Sequence, residues 1–167
     1  VKLSNQITKI KYYCIIKSMR KNRSSTPCIG ICSTTFGDDV CKGCKRFSHE
    51  ITNWGKFSTD ERAVVNSRLE QFKTTILEEK FSISDSELFE SKMNEFSINF
   101  NSSLDPITWI FDLLRASSNK DLNVNDFGVE ILPAFSDLSL IELRDLINQE
   151  MLQLSEAHYY KFFNRAT

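Results

Sequence analysis

The chain has 167 residues, of which 41% are hydrophobic and 26% charged, and its formal net charge is −1. This composition excludes wholesale disorder and suits one ordinary domain, or one small module joined to one small domain. No apolar run approaches the roughly 18 residues needed to span a bilayer, so we expect no membrane segment.

The first 26 residues differ from the rest in charge. They contain seven basic side chains and no acidic one, which leaves 14 basic and 22 acidic side chains for the remainder. With no periodic apolar face, residues 1–26 are predicted to be a basic, flexible N-terminal tail. An acidic body argues against broad binding to nucleic acid, although the tail could still contact phosphates. The basic residues are Lys2, Lys9, Lys11, Lys17, Arg20, Lys21 and Arg23.

Two further features of this segment bear on its origin and location. The chain starts with Val1, and Met19 lies nine residues before the first cysteine pair, so one hypothesis is that translation begins at Met19. The apolar stretch Tyr12 to Ile16 is too short for the core of a signal peptide. We therefore expect a cytosolic protein whose thiols stay reduced.

Four cysteines in residues 27–47 form the strongest signal. Cys28 and Cys32 are followed after eight residues by Cys41 and Cys44. In a reducing compartment, two such closely spaced pairs are typical of a four-thiolate metal site. Cys14 lies apart from them and is given no metal role.

Neighbouring residues fit that interpretation. Gly30 and Gly43 lie inside the two chelating loops, where we expect positive φ angles and no room for a side chain. Four thiolates around a divalent ion carry a net charge near −2, which Lys42, Lys45 and Arg46 could offset. The alternative interpretation of these three side chains is a solvated basic rim.

The spacing leaves the metal open. The Cys-x3-Cys and Cys-x2-Cys pairs fit structural Zn²⁺, whereas the familiar ferredoxin spacings do not fit. Zn²⁺ is thus favoured over an iron–sulfur cluster, with disulfides the least favoured. His49 could replace a ligand, but a surface or capping histidine is favoured because four cysteines already complete the set.

After the cysteines the pattern becomes helical. A short segment from His49 to Trp54 is predicted to pack Ile51 and Trp54 against the cysteine loops. Capping boxes at Ser58–Glu61 and Ser84–Glu87 each predict the start of a longer helix. Their apolar stripes recur at helical offsets and are Val65, Leu69, Phe72 and Ile76 for the first helix, and Phe89, Met93, Phe96 and Phe100 for the second.

The remaining elements lie in the C-terminal half. Asp105-Pro106 predicts the start of a central apolar helix over Ile107 to Ala116. Ser117 to Gly128 is predicted to be a loop, and Val129 to Phe135 an extended piece or a helical turn. Ser139 and Glu142 cap a last helix to about Phe162, with Leu143, Ile147, Met151, Leu154 and His158 along one side.

His158 has two interpretations. Its place on the apolar stripe favours a buried, hydrogen-bonded histidine. The other interpretation is a polar group of a pocket lined by Glu156, Tyr159 and Tyr160.

The predicted fold is mostly α: a small four-cysteine metal knuckle followed by a C-terminal helical domain. We expect the metal-binding module and its following helix in residues 27–80, and the helical domain in residues 84–167.

The cysteine region also resembles a known family. The residues that carry this resemblance are Pro27 to Cys32, Cys41 to Arg46, Glu50-Ile51, Trp54 and Glu61-Arg62. They are similar to the bacterial Domain of Unknown Function 1289 family, usually labelled a predicted iron–sulfur protein. The resemblance covers roughly residues 26–72, and the C-terminal half resembles the longer proteobacterial members. It implies Cys28, Cys32, Cys41 and Cys44 as ligands and implies no catalytic residue.

Three functions follow as hypotheses. A closed set of four ligands favours a metal-stabilised binding or adaptor module, with the helical half presenting the surface for a protein partner. The alternative is an iron–sulfur electron carrier or redox-sensing accessory protein. A weaker alternative is an RNA- or ribosome-associated factor that uses the basic tail. No linear catalytic motif is present, but catalytic residues can also come together only in space, so enzyme status stays open, with a non-enzymatic role favoured.

Overall fold

The computed structural model describes residues 26–118 and 122–163. Apart from Thr26, the predicted tail lies outside the described residues, and so do Cys14 and Met19. Within the described residues the chain is mostly helical, which confirms the predicted class. The elements are α1 (Ser48–Asn53), α2 (Thr59–Glu78), β1 (Phe81–Ile83), α3 (Ser86–Glu95), α4 (Pro106–Ser117), β2 (Val129–Ile131) and α5 (Leu140–Phe163).

The start of α2 is fixed by the predicted capping box. The Glu61 N–H donates to Ser58 Oγ at 3.2 Å, and the Ser58 N–H donates to Glu61 Oε2 at 2.7 Å. These bonds satisfy donors that the first turn of a helix leaves without partners. The four predicted stripe residues, Val65, Leu69, Phe72 and Ile76, are all buried, together with Leu77.

The start of α3 corrects the prediction by one residue. Its N-cap is Asp85, whose Oδ1 accepts the Leu88 N–H at 2.9 Å. The Ser84 hydroxyl instead donates to the carbonyl of Gly128 at 3.0 Å. Both residues are good N-caps by type, so tertiary contact decides between them.

The end of α3 is also earlier than its stripe predicted. The helix ends at Glu95 because Ser97 takes a left-handed conformation with φ of 53°, and the Ile98 N–H donates back to the carbonyl of Met93 at 2.9 Å. Phe100 therefore lies beyond the helix. Its ring still packs on that of Trp109, with centroids 4.7 Å apart.

The apolar helix α4 lies at the centre of the core, as predicted. Asp105 Oδ1 accepts the Ile107 N–H at 2.9 Å, and Pro106 occupies the first turn, where no N–H is needed. Ile110, Leu113 and Leu114 have no exposed surface. A helix apolar on most sides can reach that burial only with neighbours on several sides.

Two short strands were not predicted as a pair. β1 and β2 run antiparallel, with Phe81 opposite Ile131 and Ile83 opposite Val129. The segment before β2 is also more structured than the predicted loop, since Val124–Phe127 forms a 3-10 turn that buries both of its end residues. Pro133–Phe135 is a second such turn, so the segment from Val129 contains both of the predicted alternatives.

The last helix, α5, begins with the predicted capping box. The Ser139 N–H donates to Glu142 Oε2 at 2.8 Å, and the Glu142 N–H donates to Ser139 Oγ at 3.3 Å. Along the stripe, Leu143, Ile147 and Met151 are buried.

One hydrophobic core joins these elements. Helices α2, α4 and α5 pack pairwise against one another, and the strands and α3 add to the same cluster. The division of the chain at residues 80 and 84 stays a prediction. In the part of the chain that the structure describes, no helix has the length and apolar character required to cross a membrane.

A lysine lies inside this core. Lys80 is only 1% exposed, and its Nζ lies 2.6 Å from Glu150 Oε2 of α5 and 5.0 Å from the centre of the Phe135 ring. A buried ammonium group needs such a counter-charge, so this ion pair joins the connection between α2 and β1 to the middle of α5.

Ile147→Ala tests the packing of α5. Ile147 is fully buried, so removing its methyl groups should lower the free energy of unfolding by roughly 2–5 kcal/mol. Ile141→Ala, on the same helix at a side chain that is 52% exposed, should cost less than about 0.5 kcal/mol. Urea unfolding of both variants measures the difference, and equal losses would contradict the packing.

Asp112→Asn tests the electrostatics of α4. Burial raises the pKa of Asp112 to about 6, although Lys73 and Arg115 act to lower it. Because the folded pKa exceeds the ordinary value of 3.8, the stability that this group contributes is complete below about pH 3.8. It is lost as the pH rises through about 6.

A neutral side chain at this position avoids that loss. At pH 7.5 the Asn variant should therefore gain about 1–2 kcal/mol over the wild type, and the gain should shrink toward pH 4. Urea unfolding across this pH range gives the comparison, with the exposed Asp137→Asn as control. A gain that does not change with pH would contradict titration of Asp112.

Candidate metal centre

The second cysteine pair lies on a tight turn. The Cys41 N–H donates to the carbonyl of Arg46 at 2.9 Å, and the Lys45 N–H donates to the carbonyl of Cys41 at 2.8 Å. Lys45 reaches this bond with a φ of 62°, a conformation that residues other than glycine rarely adopt. A bridge between Val40 and Phe47 closes the turn at its base.

The first cysteine pair lies on a loop that contacts this turn. The Lys42 N–H donates to Ser33 Oγ at 2.9 Å, and Cys41 Sγ lies 3.7 Å from the carbonyl oxygen of Ile31. Within the loop, the Gly30 N–H donates to Cys28 Sγ at 3.4 Å, and Cys32 Sγ lies 3.0 Å from Thr34 Oγ1. The two loops therefore hold all four cysteines in one region.

The glycines of the two loops serve different purposes. Gly30 has a φ of 94°, as predicted, and needs the freedom of glycine for that reason. Gly43 is not among the positive-φ residues of the described chain, which corrects that part of the prediction. A Cβ at Gly43 would lie 2.7 Å from the carbonyl oxygen of Ile31, so a side chain there would separate the loops.

The sulfurs are not equally placed. Cys41 and Cys44 are buried and hydrogen-bond to each other, Cys32 is half-buried and Cys28 is exposed. No disulfide joins these four residues. Among residues 26–118 and 122–163, no three or more His, Cys, Asp or Glu side chains are arranged as ligands of one ion. The four-cysteine ligand set therefore stays a prediction.

The two buried thiols, Cys41 and Cys44, have pKa values shifted in opposite directions. Burial acts to raise the pKa of Cys41, but hydrogen bonds from the backbone of Cys44, Ser33 and Gly43 outweigh it and lower that pKa to about 7. Burial raises the pKa of Cys44, against the lowering effect of the hydrogen bond from Arg46. The pair is thus set up for one thiolate near neutral pH, and thiolate is the form that binds metal.

Two of the three nearby cations are buried, which corrects the alternative of a solvated rim for them. Lys45 and Arg46 are each 4% exposed, whereas Lys42 is exposed and pairs with Asp38 at 3.0 Å. Lys45 Nζ donates to the carbonyls of Lys42 and Gly43 at 2.8 and 3.1 Å. It also donates to Asn148 Oδ1 of α5 at 3.0 Å, which ties the turn to the last helix.

Arg46 contacts both a sulfur and an aromatic ring. Its Nε lies 3.3 Å from Cys44 Sγ, and its Cζ lies 4.5 Å from the centre of the Trp54 ring. Trp54 is half-buried by this stacking. The sequence predicted that Trp54 would pack near the cysteine loops, but nothing in the spacing identified Arg46 as its partner.

A partly buried ion pair joins the cysteine region to α2. Arg68 donates two hydrogen bonds to Glu50, at 2.6 and 2.8 Å, and its Cζ lies 3.9 Å from the centre of the Phe47 ring. Glu50 Oε2 also accepts the Phe47 N–H at 2.9 Å. These partners are 18 residues apart in sequence, so local patterns could not reveal them.

The end of α5 covers the same region with aromatic side chains. The rings of Tyr159 and Phe163 lie 5.3 and 5.8 Å from that of Phe47, and the Tyr159 hydroxyl lies 3.3 Å from Asp39 Oδ1. His49 is exposed and contacts the Phe47 ring at 5.8 Å, as expected for a surface histidine.

His158 is half-buried, which corrects the prediction of a buried histidine. Its ring lies edge-on to Phe72 at 5.0 Å and to Phe162 at 5.1 Å. Desolvation lowers its pKa, and the positive charges of Arg68 and Lys161 lower it further. A neutral imidazole between two aromatic rings is a packing element of α5.

In comparison with known proteins, the cysteine region matches a family model. Residues 26–73 match the family model described as "Protein of unknown function (DUF1289)", and this match covers less than a third of the chain. All four cysteines lie within the matched residues. No curated protein and no solved structure matches the chain.

The chemistry of the four donors, rather than their arrangement in the described residues, suits a thiophilic metal. Four free thiols on two loops in contact can supply soft sulfur ligands, and the backbone N–H groups directed at Cys41 stabilise its thiolate form. A divalent ion bound there would supply cross-linking of the two loops, with Cys28, Cys32, Cys41 and Cys44 as the residues that hold it.

Glu50→Gln tests the ion pair beside this site. The neutral amide would leave Arg68, whose side chain is 18% exposed, without its counter-charge, so the free energy of unfolding should fall by about 2–4 kcal/mol. Glu95→Gln removes a carboxylate from the more exposed pair with Lys92 and should cost less than about 1 kcal/mol. Urea unfolding compares the two variants, and a similar small loss in both would show that the Glu50 pair is dispensable.

Proposed function

We propose that this protein is a metal-binding module in which Cys28, Cys32, Cys41 and Cys44 hold one Zn²⁺ ion, and that its role is structural. The observation that carries the proposal is the pair of buried cations beside the sulfurs. Lys45 and Arg46 are 4% exposed, and neither forms an ion pair with a carboxylate among the described residues.

A buried cation without counter-charge is costly, so the fold must offset these two charges locally. Cys41 and Cys44 oppose this cost at Lys45, because negative charge on either sulfur raises the pKa of Lys45 against the lowering effect of burial. A divalent ion with four thiolates carries a net charge of about −2, which matches the two buried positive charges. The charge balance of the site therefore supports a filled four-thiolate centre.

The proposed biological role is that of a cytosolic binding or adaptor protein. Four protein ligands would leave no open position for a substrate, which suits a structural ion better than a catalytic one. The ion would stabilise the cysteine loops, which have little apolar core of their own. The helical body would then present the surface for a protein partner.

Metal analysis of the full chain, purified without oxygen, tests the proposal. One equivalent of zinc in a colourless protein is the expected result. Brown protein with visible absorbance that bleaches on reduction would support the iron–sulfur carrier instead and overturn the choice of Zn²⁺. Salt-sensitive co-purification with RNA would support the RNA-associated role.

Single substitutions test the ligands. Cys28→Ser, Cys32→Ser, Cys41→Ser and Cys44→Ser should each lower the bound metal sharply, because serine keeps the size but is a poor ligand for a soft metal. Cys14→Ser should leave the metal content unchanged and serves as the matched control. Full metal retention in all four variants, or an equal loss in Cys14→Ser, would refute the ligand set.

A further inference from the structure

Two arginines contact the cysteine region, Arg46 from within it and Arg68 from α2, and they differ in their partners. Arg68 is bound by both carboxylate oxygens of Glu50. Arg46 has no carboxylate partner among the described residues, and its Nε instead lies 3.3 Å from Cys44 Sγ. Since Glu50 is already occupied by Arg68 and by the Phe47 N–H, the Cys44 sulfur is the acceptor that Arg46 Nε contacts.

The path of the backbone explains how Arg46 reaches the sulfur two residues before it. Lys45 takes a left-handed conformation with φ of 62°, which reverses the chain between Cys44 and Arg46. The carbonyl of Arg46 is held at the same time by the Cys41 N–H at 2.9 Å. Both ends of the residue are therefore fixed on the turn that carries the second cysteine pair.

The guanidinium is held in place by Trp54. Its Cζ lies 4.5 Å from the centre of that ring, within the range of a cation–π contact. Trp54 is in turn tied to α2, because Arg62 Nε donates to its carbonyl at 3.1 Å and the Arg62 Cζ lies 5.8 Å from the same ring. A continuous set of contacts thus runs from α2 through Trp54 and Arg46 to the sulfur.

We propose that Arg46, held by Trp54, is a positioning residue for the metal centre: it directs one N–H at Cys44 Sγ and fixes that sulfur as a ligand. This inference rests on the proposed function, because it concerns how a ligand of the bound ion is oriented. Partners of metal ligands that orient them are commonly worth 10–100-fold in metal affinity. A planar guanidinium stacked on a ring supplies a fixed direction that the flexible ammonium of lysine does not supply.

Zn²⁺ affinity of the full chain, measured by competition with a chromogenic chelator, tests the inference. Arg46→Lys and Arg46→Gln should both weaken Zn²⁺ binding about 10–100-fold, since each removes the directed N–H. Trp54→Leu leaves Arg46 in place and should give a smaller loss. Lys42→Gln removes a positive charge from an exposed neighbour and should change the affinity less than about 3-fold.

Thermal unfolding separates positioning from a merely structural role. If Arg46 positions the sulfur, Arg46→Lys should leave the Tm of the metal-free protein nearly unchanged and shrink the rise in Tm that Zn²⁺ produces. A structural role would lower both Tm values equally. Arg46→Lys keeps the charge and most of the packing, so it decides the question even if Arg46→Gln fails to fold.

Three results would overturn the inference, and they are distinguishable from one another. Wild-type affinity in Arg46→Lys would show that charge alone matters, while the proposed function would stand. An equal fall of both Tm values would assign Arg46 to the fold and again leave the proposed function intact. A wild-type protein that binds no Zn²⁺ would overturn the metal centre and the role of Arg46 together.

Discussion

The ion pair between Glu50 and Arg68 is the interaction on which the arrangement of the cysteine region depends. It binds α1 to α2 through two short hydrogen bonds, and the same carboxylate holds the backbone of Phe47. Phe47 then provides the ring on which the end of α5 packs. Because the Glu50 carboxylate is buried, the pair is favourable only when nearly all of its hydrogen bonds are made. This requirement fixes the cysteine turn relative to the helical body.

The parts of the fold that the sequence predicted are those with local causes. The capping boxes at Ser58 and Ser139 involve residues three positions apart, and the stripes of α2 and α5 arise within single helices. The same is true of Asp105-Pro106 at the start of α4. Cysteine spacing is also local, which is why the sequence alone is enough to indicate the candidate metal centre.

The parts that were missed have partners far away in sequence. Ser84 lost the role of N-cap because its hydroxyl binds Gly128, 44 residues later. The burial of Lys45 depends on Asn148, more than 100 residues away. The strand pair is three residues long on each side, too short for an alternating pattern to show. Local sequence patterns do not predict contacts between residues so far apart in the chain.

Lys80 also has a consequence for chemistry performed on the intact protein. Its ammonium group is 1% exposed and faces Glu150, so acylating reagents and trypsin can reach it only when the core opens. Lys42, by contrast, lies on the surface of the cysteine turn and is open to both. The rate at which Lys80 is modified therefore reports how often the core opens. The rate at which Lys42 is modified provides the reference for an accessible lysine.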